Sequence, residues 1–449
     1  MPLTLSSSSP ATSSAPALHR VTTIQRVAMV SVHTSPSATL GGQDAGGLNV
    51  YVRELGRQLA RNGVAVDIFT RRSDPFTDDI VEIADGVRVI YITAGPATAL
   101  PKDDLFAYLP EFANEMALFS LQSGLRYDVV HTHYWLSGWV GHLLKRYWNA
   151  PVVHMYHTLA RLKNQVAGGQ LLESRVRLDT ERRLLSLLDS IVAPNPDERA
   201  DMVWRMGGRN ARICVVPPGI DLDRFQPEES ETARDRLGLP ARPLVLFVGR
   251  VDAMKGIDTL LDGFADLYHR EWVGPKPALV FVGGTLLRDG TTVRPGPDLM
   301  PVVERAAELG FSEGLLLRGS EPQELLPRYY SACTVAAVPS RYESFGLVAV
   351  EAMACGLPVV ASRAGGLKFT VEEGVSGLLV EPGSAADLAE ALAQVITDRD
   401  LRASLQVGAR QAAVRFSWQS ITPAMLNLYE RLAEGERDDL CCMNSVYAS

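Results

Sequence analysis

Two doubly wound α/β domains facing each other across a cleft are what this sequence predicts, from three observations. Short apolar runs alternate with amphipathic stretches, the pattern of parallel strands covered by helices. The scheme is interrupted at Pro217, Pro218 and Gly219 and then begins again. At 449 residues the chain exceeds what one compact core holds.

The first unit opens with a strand over 27–32, a glycine-rich loop and an amphipathic stretch over 48–61, which Gly63 closes before a strand over 66–70. That is a βαβ unit. Further buried strands are predicted over 87–92, 129–132, 152–156 and 191–193. After the hinge come strands over 244–248, 278–282, 315–318, 335–338 and 358–361, again separated by helical segments, as in a second doubly wound domain. A helix over 418–432 follows a sheet that should already be complete, so it is expected to cross back to the first domain. The expected organisation is a disordered tail (1–25), an N-terminal domain (26–217), a C-terminal domain (218–417), the returning helix (418–436) and a short tail (437–449). The first tail is rich in Ser, Ala, Thr and Pro, which cannot build a core.

The composition, 46% hydrophobic and 21% charged, is that of a globular protein. A formal net charge of −8 argues against a nucleic-acid binder, so any anion must be met by local cations. Five cysteines without paired metal-ligand spacing fit a reducing, cytoplasmic compartment, with Cys214 and Cys355 as small core residues. No apolar run approaches the length of a membrane span.

The segment Glu343-Ser-Phe-Gly-Leu-Val-Ala-Val-Glu351 carries the most chemistry. It follows a strand and enters a helix, so Glu343 and the amides of Phe345, Gly346 and Leu347 can meet sugar hydroxyls and phosphate at a helix N-terminus. Glu351, two turns on, can accept both hydroxyls of a ribose. Arg250 and Lys255 flank another strand end, where an open α/β sheet binds its ligands, and two cations there suit a departing diphosphate. That lysine precedes its glycine and no Ser or Thr follows, which excludes a P-loop. The loop 41–49 places Gly46 and Gly47 where backbone amides can approach an anion, without the G-x-G-x-x-G spacing of a dinucleotide site.

His131 and His133 read as structural histidines. His157 is followed by Thr158, Arg161 and Lys163, and later by Arg175 and Arg177, a local basic cluster suited to a second, phosphorylated ligand. Asp221 and Asp223 match an Asp-x-Asp metal motif but lie just past the hinge, so no metal site is assigned.

Together, Gly46, Gly47, His157, Arg250, Lys255 and the 343–351 segment resemble the retaining glycosyltransferases of family four, over about residues 26–434. The resemblance implies the GT-B fold, a nucleotide-sugar co-substrate, here UDP-glucose, and no required cofactor or metal. Within the family, the segments 44–52, 133–138 and 157–164 look like the inositol-phosphate glycosyltransferases, whose layout sucrose-phosphate synthases share. From these relatives Asn49, Lys102, Tyr134, Thr158, Lys163, Arg175 and Arg177 are carried over as the acceptor and phosphate site. Leu178 stands where the inositol enzymes would have an arginine, Tyr342 leans to the sucrose side, and Ser344 replaces an expected proline. The implied partners are a sugar nucleotide and a phosphorylated sugar or polyol, fructose 6-phosphate first and an inositol phosphate as the alternative. His157, Arg250, Lys255 and Glu343 are the implied catalytic groups. A pyridoxal-dependent phosphorylase would need a cofactor lysine, for which no context stands out. A catalytically silent sugar-nucleotide sensor would not need His157 and Glu343 together.

Overall fold

Along β1 (Arg26–Val30), Val27 and Met29 point into one apolar layer, while Ala28 and Val30 point into another. Alternation between two buried faces is what a central parallel strand requires. β1 lies inside an eight-stranded sheet with β2 (Ala65–Arg71), β3 (Ile80–Ala84), β4 (Val87–Ile92), β5 (Val129–His133), β6 (Val152–Met155), β7 (Ser190–Ala193) and β8 (Ile213–Val215), in the order β3-β4-β2-β1-β5-β6-β7-β8. All neighbours are parallel except β3 and β4, which form an antiparallel edge pair. The computed structural model describes residues 22–37, 46–166, 173–290 and 292–437. Most of the two predicted tails, the loop residues 41–45, and Cys441 and Cys442 therefore lie outside the described residues.

The second sheet repeats the plan with β9 (Leu244–Val248), β10 (Ala278–Val282), β13 (Leu315–Gly319), β14 (Val335–Val338), β15 (Val359–Ser362) and β16 (Gly377–Val380), in the order β13-β10-β9-β14-β15-β16. Leu244 and Leu246 enter one core and Val245 and Phe247 the other. A hairpin of β11 (Leu286–Asp289) and β12 (Thr292–Pro295) stands apart from it. In each sheet the chain reverses direction of growth at its first strand, between β1 and β5 and between β9 and β14. Ligands of such sheets bind beyond the strand carboxyl ends at that switch point.

The helices that shape the cleft are α1 (Gly47–Arg61), α2 (Tyr134–Leu144), α3 (Arg175–Leu187), α4 (Pro196–Trp204), α5 (Ile257–Tyr268) and α6 (Leu347–Ala354). A last helix, α7 (Trp418–Ala433), places Trp418, Ile421, Met425, Leu428, Tyr429 and Leu432 at helical spacing into the core that also holds Tyr51, Val52 and Val27. It thus belongs to the layers of the first sheet. Its leading residues run beside the hinge, where Ile220 N–H donates to Phe416 O at 2.8 Å and Trp418 N–H to Ile220 O at 3.2 Å. Gly219 is needed there because a Cβ would fall 2.3 Å from the Trp418 indole.

Replacing Trp418 by Ala removes a side chain that is 2% exposed and is expected to cost about 3–5 kcal/mol of stability. A denaturant titration yielding a loss below about 1 kcal/mol would show that α7 is not docked as described.

Candidate functional site

Two helices from opposite domains begin at the same place. α1 starts after Gly46 and α6 after Gly346, and neither N-cap has a side-chain hydrogen bond. Their first internal bonds come from Asn49 N–H and Ala349 N–H, which leaves the amides of Gly47, Leu48, Leu347 and Val348 outside the helical ladder. Gly346 has φ of 99°, and a Cβ there would meet Leu367 at 2.6 Å, so only glycine lets the chain turn into α6 here. A Cβ on Gly47 would lie 3.2 Å from Leu347 Cδ1, a measure of how closely the helix starts approach.

Around these helix starts the cleft has two lobes. The larger, about 710 Å³, is walled by Val248, Gly249, Gly283, Gly284, Ser320, Gln323 and Glu351. The smaller, about 450 Å³, is walled by Lys102, Tyr134, His157, Thr158, Lys163, Glu343 and Phe345. Both lobes share Gly46, Gly47, Arg250, Asp252, Lys255, Leu347 and Val348. The junction therefore combines two helix dipoles of the same sign with two cations, which suits a diphosphate with one substituent in each lobe.

Arg250 is half exposed and lies 3.4 Å from Asp252. Lys255 ends a short 3₁₀ turn, and its Nζ donates to Glu343 Oε2 at 2.6 Å. Gly256 follows with φ of 64°, because a Cβ there would be 2.0 Å from the carbonyl of Pro339. Lys255 is thus pressed against the strand end that leads to Glu343. Glu351 accepts from the Tyr330 hydroxyl at 2.7 Å, and burial raises its carboxyl to about 7. Phe345 packs its ring into the second-domain core and offers the cleft its backbone.

His157 and Tyr134 are the described non-glycine residues with positive φ, 62° and 73°. Such backbone is costly and marks positions the surroundings must enforce. His157 Nε2 lies 3.1 Å from His133 Nδ1, and burial lowers its pKa to about 3, so the ring is neutral near pH 7. His131 is bonded to the Tyr429 hydroxyl at 2.6 Å and His154 to Thr132 Oγ1 at 2.8 Å, both inside the fold. Among the described residues no group of three His, Cys, Asp or Glu is arranged for a metal. Asp221 instead caps its own turn, accepting from the amides of Asp223 and Arg224.

Three expected acceptor residues are placed differently. Asn49 is buried beneath the wall, donating to Thr34 Oγ1 and Ser35 O at 2.7 Å, so it braces the loop after β1. Arg175 is exposed at the start of α3, outside both lobes. Arg177 is 2% exposed and fully engaged, with Glu181 at 2.7 Å, Glu173 at 2.7 Å, the Tyr134 hydroxyl at 2.9 Å and Thr158 O at 2.7 Å. Its guanidinium also lies 4.6 Å from the centroid of the Tyr134 ring. It holds Tyr134 and Thr158 rather than facing the cleft, because helical spacing from Glu181 turns it inward. Lys163 does face the cleft and is paired with Glu173 at 2.5 Å.

Sequence reasoning missed the contacts that close the cleft. Asn195 Nδ2 donates to Ser344 O at 2.6 Å, and Glu198 accepts from the Tyr342 and Ser344 hydroxyls, each at 2.5 Å. Gln323 Oε1 accepts from Arg53 and Arg224, each at 2.9 Å. Asn-Pro-Asp-Glu at 195–198 has the spacing of a capping box, which signalled a helix start and not a partner in the other domain.

Residues 229–412 match the family "Glycosyl transferases group 1" and residues 45–224 match "Glycosyltransferase Family 4". The chain is 41% identical to a D-inositol 3-phosphate glycosyltransferase of Corynebacterium jeikeium, over 91% of this chain and 97% of that protein. It is 42% identical to the protein of the same name from Xylanimonas cellulosilytica, over 90% of this chain and 96% of that one. Among solved structures, a sucrose-phosphate synthase from Thermosynechococcus elongatus superposes with a TM-score of 0.82 at 38% identity, covering 92% of this chain and all of that one.

The environments of the two arginines predict opposite outcomes. Arg177→Met strands the Glu181 carboxylate in the interior and should cost about 3–5 kcal/mol, whereas Arg175→Ala should leave the thermal midpoint within about 1 °C of the parent. Equal losses in the two variants would contradict the placement of Arg177.

Proposed function

The chain belongs to the retaining GT-B glycosyltransferases of family 4, and we propose that it transfers glucose from UDP-glucose to a small phosphorylated acceptor, fructose 6-phosphate. The observation that carries this reading is the shared junction of the two lobes, where two uncapped helix N-termini, Arg250 and Lys255 surround one spot. In this assignment residues 26–217 form the acceptor domain and residues 218–417 the nucleotide-sugar domain. No described helix is long and apolar enough to cross a membrane. Buried free Cys214, Cys333 and Cys355 support a reducing, cytoplasmic setting.

Retention of configuration means that the acceptor hydroxyl attacks the face from which the diphosphate leaves. Arg250, Lys255 and the helix amides stabilise charge as it develops on the departing diphosphate, whose oxygen takes the acceptor proton. His157, neutral and fixed by its backbone, hydrogen-bonds the transferred sugar near the reacting carbon. Glu343 accepts from sugar hydroxyls and Glu351 from the ribose. The acceptor phosphate is met by Lys102, Lys163, Tyr134 and Thr158, which line one end of the smaller lobe. It would compete with Glu173 for Lys163.

The likeness to a sucrose-phosphate synthase and the leucine at 178 support fructose 6-phosphate. An inositol phosphate is the second reading, favoured by the names of the bacterial relatives.

The deciding assay measures UDP release from UDP-glucose in excess EDTA with each acceptor in turn, weighing products by mass spectrometry. Stimulation by fructose 6-phosphate with a sucrose-phosphate mass is expected, and stimulation by inositol 1-phosphate instead would transfer the assignment. Glu343→Ala and His157→Ala should each lower kcat about 10²–10³-fold with little change in melting temperature. Because Glu351 titrates at about 7, its accepting carboxylate is depleted as pH falls from 8 to 6. Accordingly kcat/KM for the donor should fall over that range, and Glu351→Gln should flatten the step; an unchanged profile in that variant would remove the ribose role.

A further inference from the structure

Three polar side chains in the first turn of α4 all reach into the opposite domain. Asn195 caps the helix through its Oδ1, which accepts from Glu198 N–H at 2.9 Å, and uses its Nδ2 to donate to Ser344 O. Asp197 pairs with Lys368. Glu198 does not turn back to the N-cap amide as a capping box would. Its Oε1 accepts from both Tyr342 and Ser344, the residues on either side of Glu343, at a site where it is 2% exposed.

Burying a carboxyl group against another domain is costly unless its partners are fixed. The two hydroxyls are the direct partners of Oε1, and the only described route to them is through the loop that carries Glu343. Ser344 contributes twice, through its carbonyl and its hydroxyl, and the proline expected at that position could not donate the second bond. The loop is held from below as well, since Gly366 N–H donates to Glu343 O at 2.7 Å. Glu343 is thus fixed by its own domain on one side and by α4 on the other.

We propose that the first turn of α4 is a latch across the cleft, with Glu198 a positioning residue that sets Glu343 for transfer when the two domains are closed. The proposal rests on the reading of Glu343 as the group that holds the transferred sugar. When the domains part, both hydroxyl bonds to Glu198 break together and the loop loses its outer support. Closure and placement of the sugar-binding carboxylate are then one event, and an open cleft has Glu343 out of position.

The test is the steady-state kinetics of Glu198→Ala, Glu198→Gln, Ser344→Ala and the double variant Glu198→Ala/Ser344→Ala, with rates normalised to the concentration of UDP-binding sites so that misfolded protein is not counted. Glu198→Ala should lower kcat at least tenfold with the acceptor KM within about twofold of the parent. Ser344→Ala should lower kcat by a smaller factor, and the double variant should be no slower than Glu198→Ala, since both changes break one contact. Glu198→Gln keeps the accepting oxygen and should recover most of the rate. Independent, multiplicative losses would overturn the latch. So would a Glu198→Ala enzyme within twofold of the parent while Glu343→Ala is inactive. Full turnover in Glu343→Ala would instead overturn the sugar-binding reading beneath the latch, whatever Glu198 does.

Discussion

Helix N-termini facing each other across a cleft leave backbone N–H groups that the chain does not satisfy, and much of this molecule can be understood from that constraint. Such donors repel one another's partial charge and favour separation of the domains unless an anion lies between them. Arg250 and Lys255 add to the same sign. The closed form is therefore held by contacts at the margins of the junction rather than at its centre: the α4 turn on one side and the Arg53, Arg224 and Gln323 cluster on the other. A diphosphate neutralises the centre, and departure of the product nucleotide returns the repulsion. Ligand-dependent opening is built into the arrangement of charge.

The acceptor lobe solves a different problem, that of keeping backbone strain in place. Tyr134 and His157 hold left-handed conformations, each worth about 1–3 kcal/mol, that only surrounding contacts can maintain. Arg177 supplies many of these. It bonds the Tyr134 hydroxyl and the Thr158 carbonyl, next to His157, while Glu181 and Glu173 neutralise its charge. Glu181 continues inward to the Ala160 amide at 2.9 Å. A buried ion pair that would contribute little net stability by itself thus fixes the two strained residues of the lobe relative to one another.

The strands over 87–92, 244–248, 278–282 and 335–338 were legible in the sequence because both faces are buried, which yields uninterrupted apolar runs bounded by polar residues. β3 escaped notice because it is an exposed antiparallel edge, β8 because it is three residues long, and the β11–β12 hairpin because its side chains are largely exposed. The cleft residues Gly46, Gly47, Arg250, Lys255, Glu343 and Glu351 were legible as a group since each follows a strand end, where the topology directs ligands. Asn49, Arg175 and Arg177 show the limit of that approach. Their residue types suit a phosphate acceptor, but which of two arginines at i and i+2 turns inward depends on a carboxylate four residues further along the same helix.

Contacts across the cleft lie beyond sequence periodicity altogether. Asn195 and Glu198 satisfy a local rule for starting a helix, and that rule is sufficient to explain them until the second domain is in place. Glu198 then has a choice between the N-cap amide and two hydroxyls offered by Tyr342 and Ser344, and it takes the hydroxyls. The exchange gives up a local capping bond for two contacts that exist in the closed cleft, so the stability of α4 and the closure of the enzyme draw on the same side chain. An open conformation would let Glu198 return to its own helix. That alternative partner lowers the cost of opening, and it makes the first turn of α4 a two-position element that closing and opening each favour in turn.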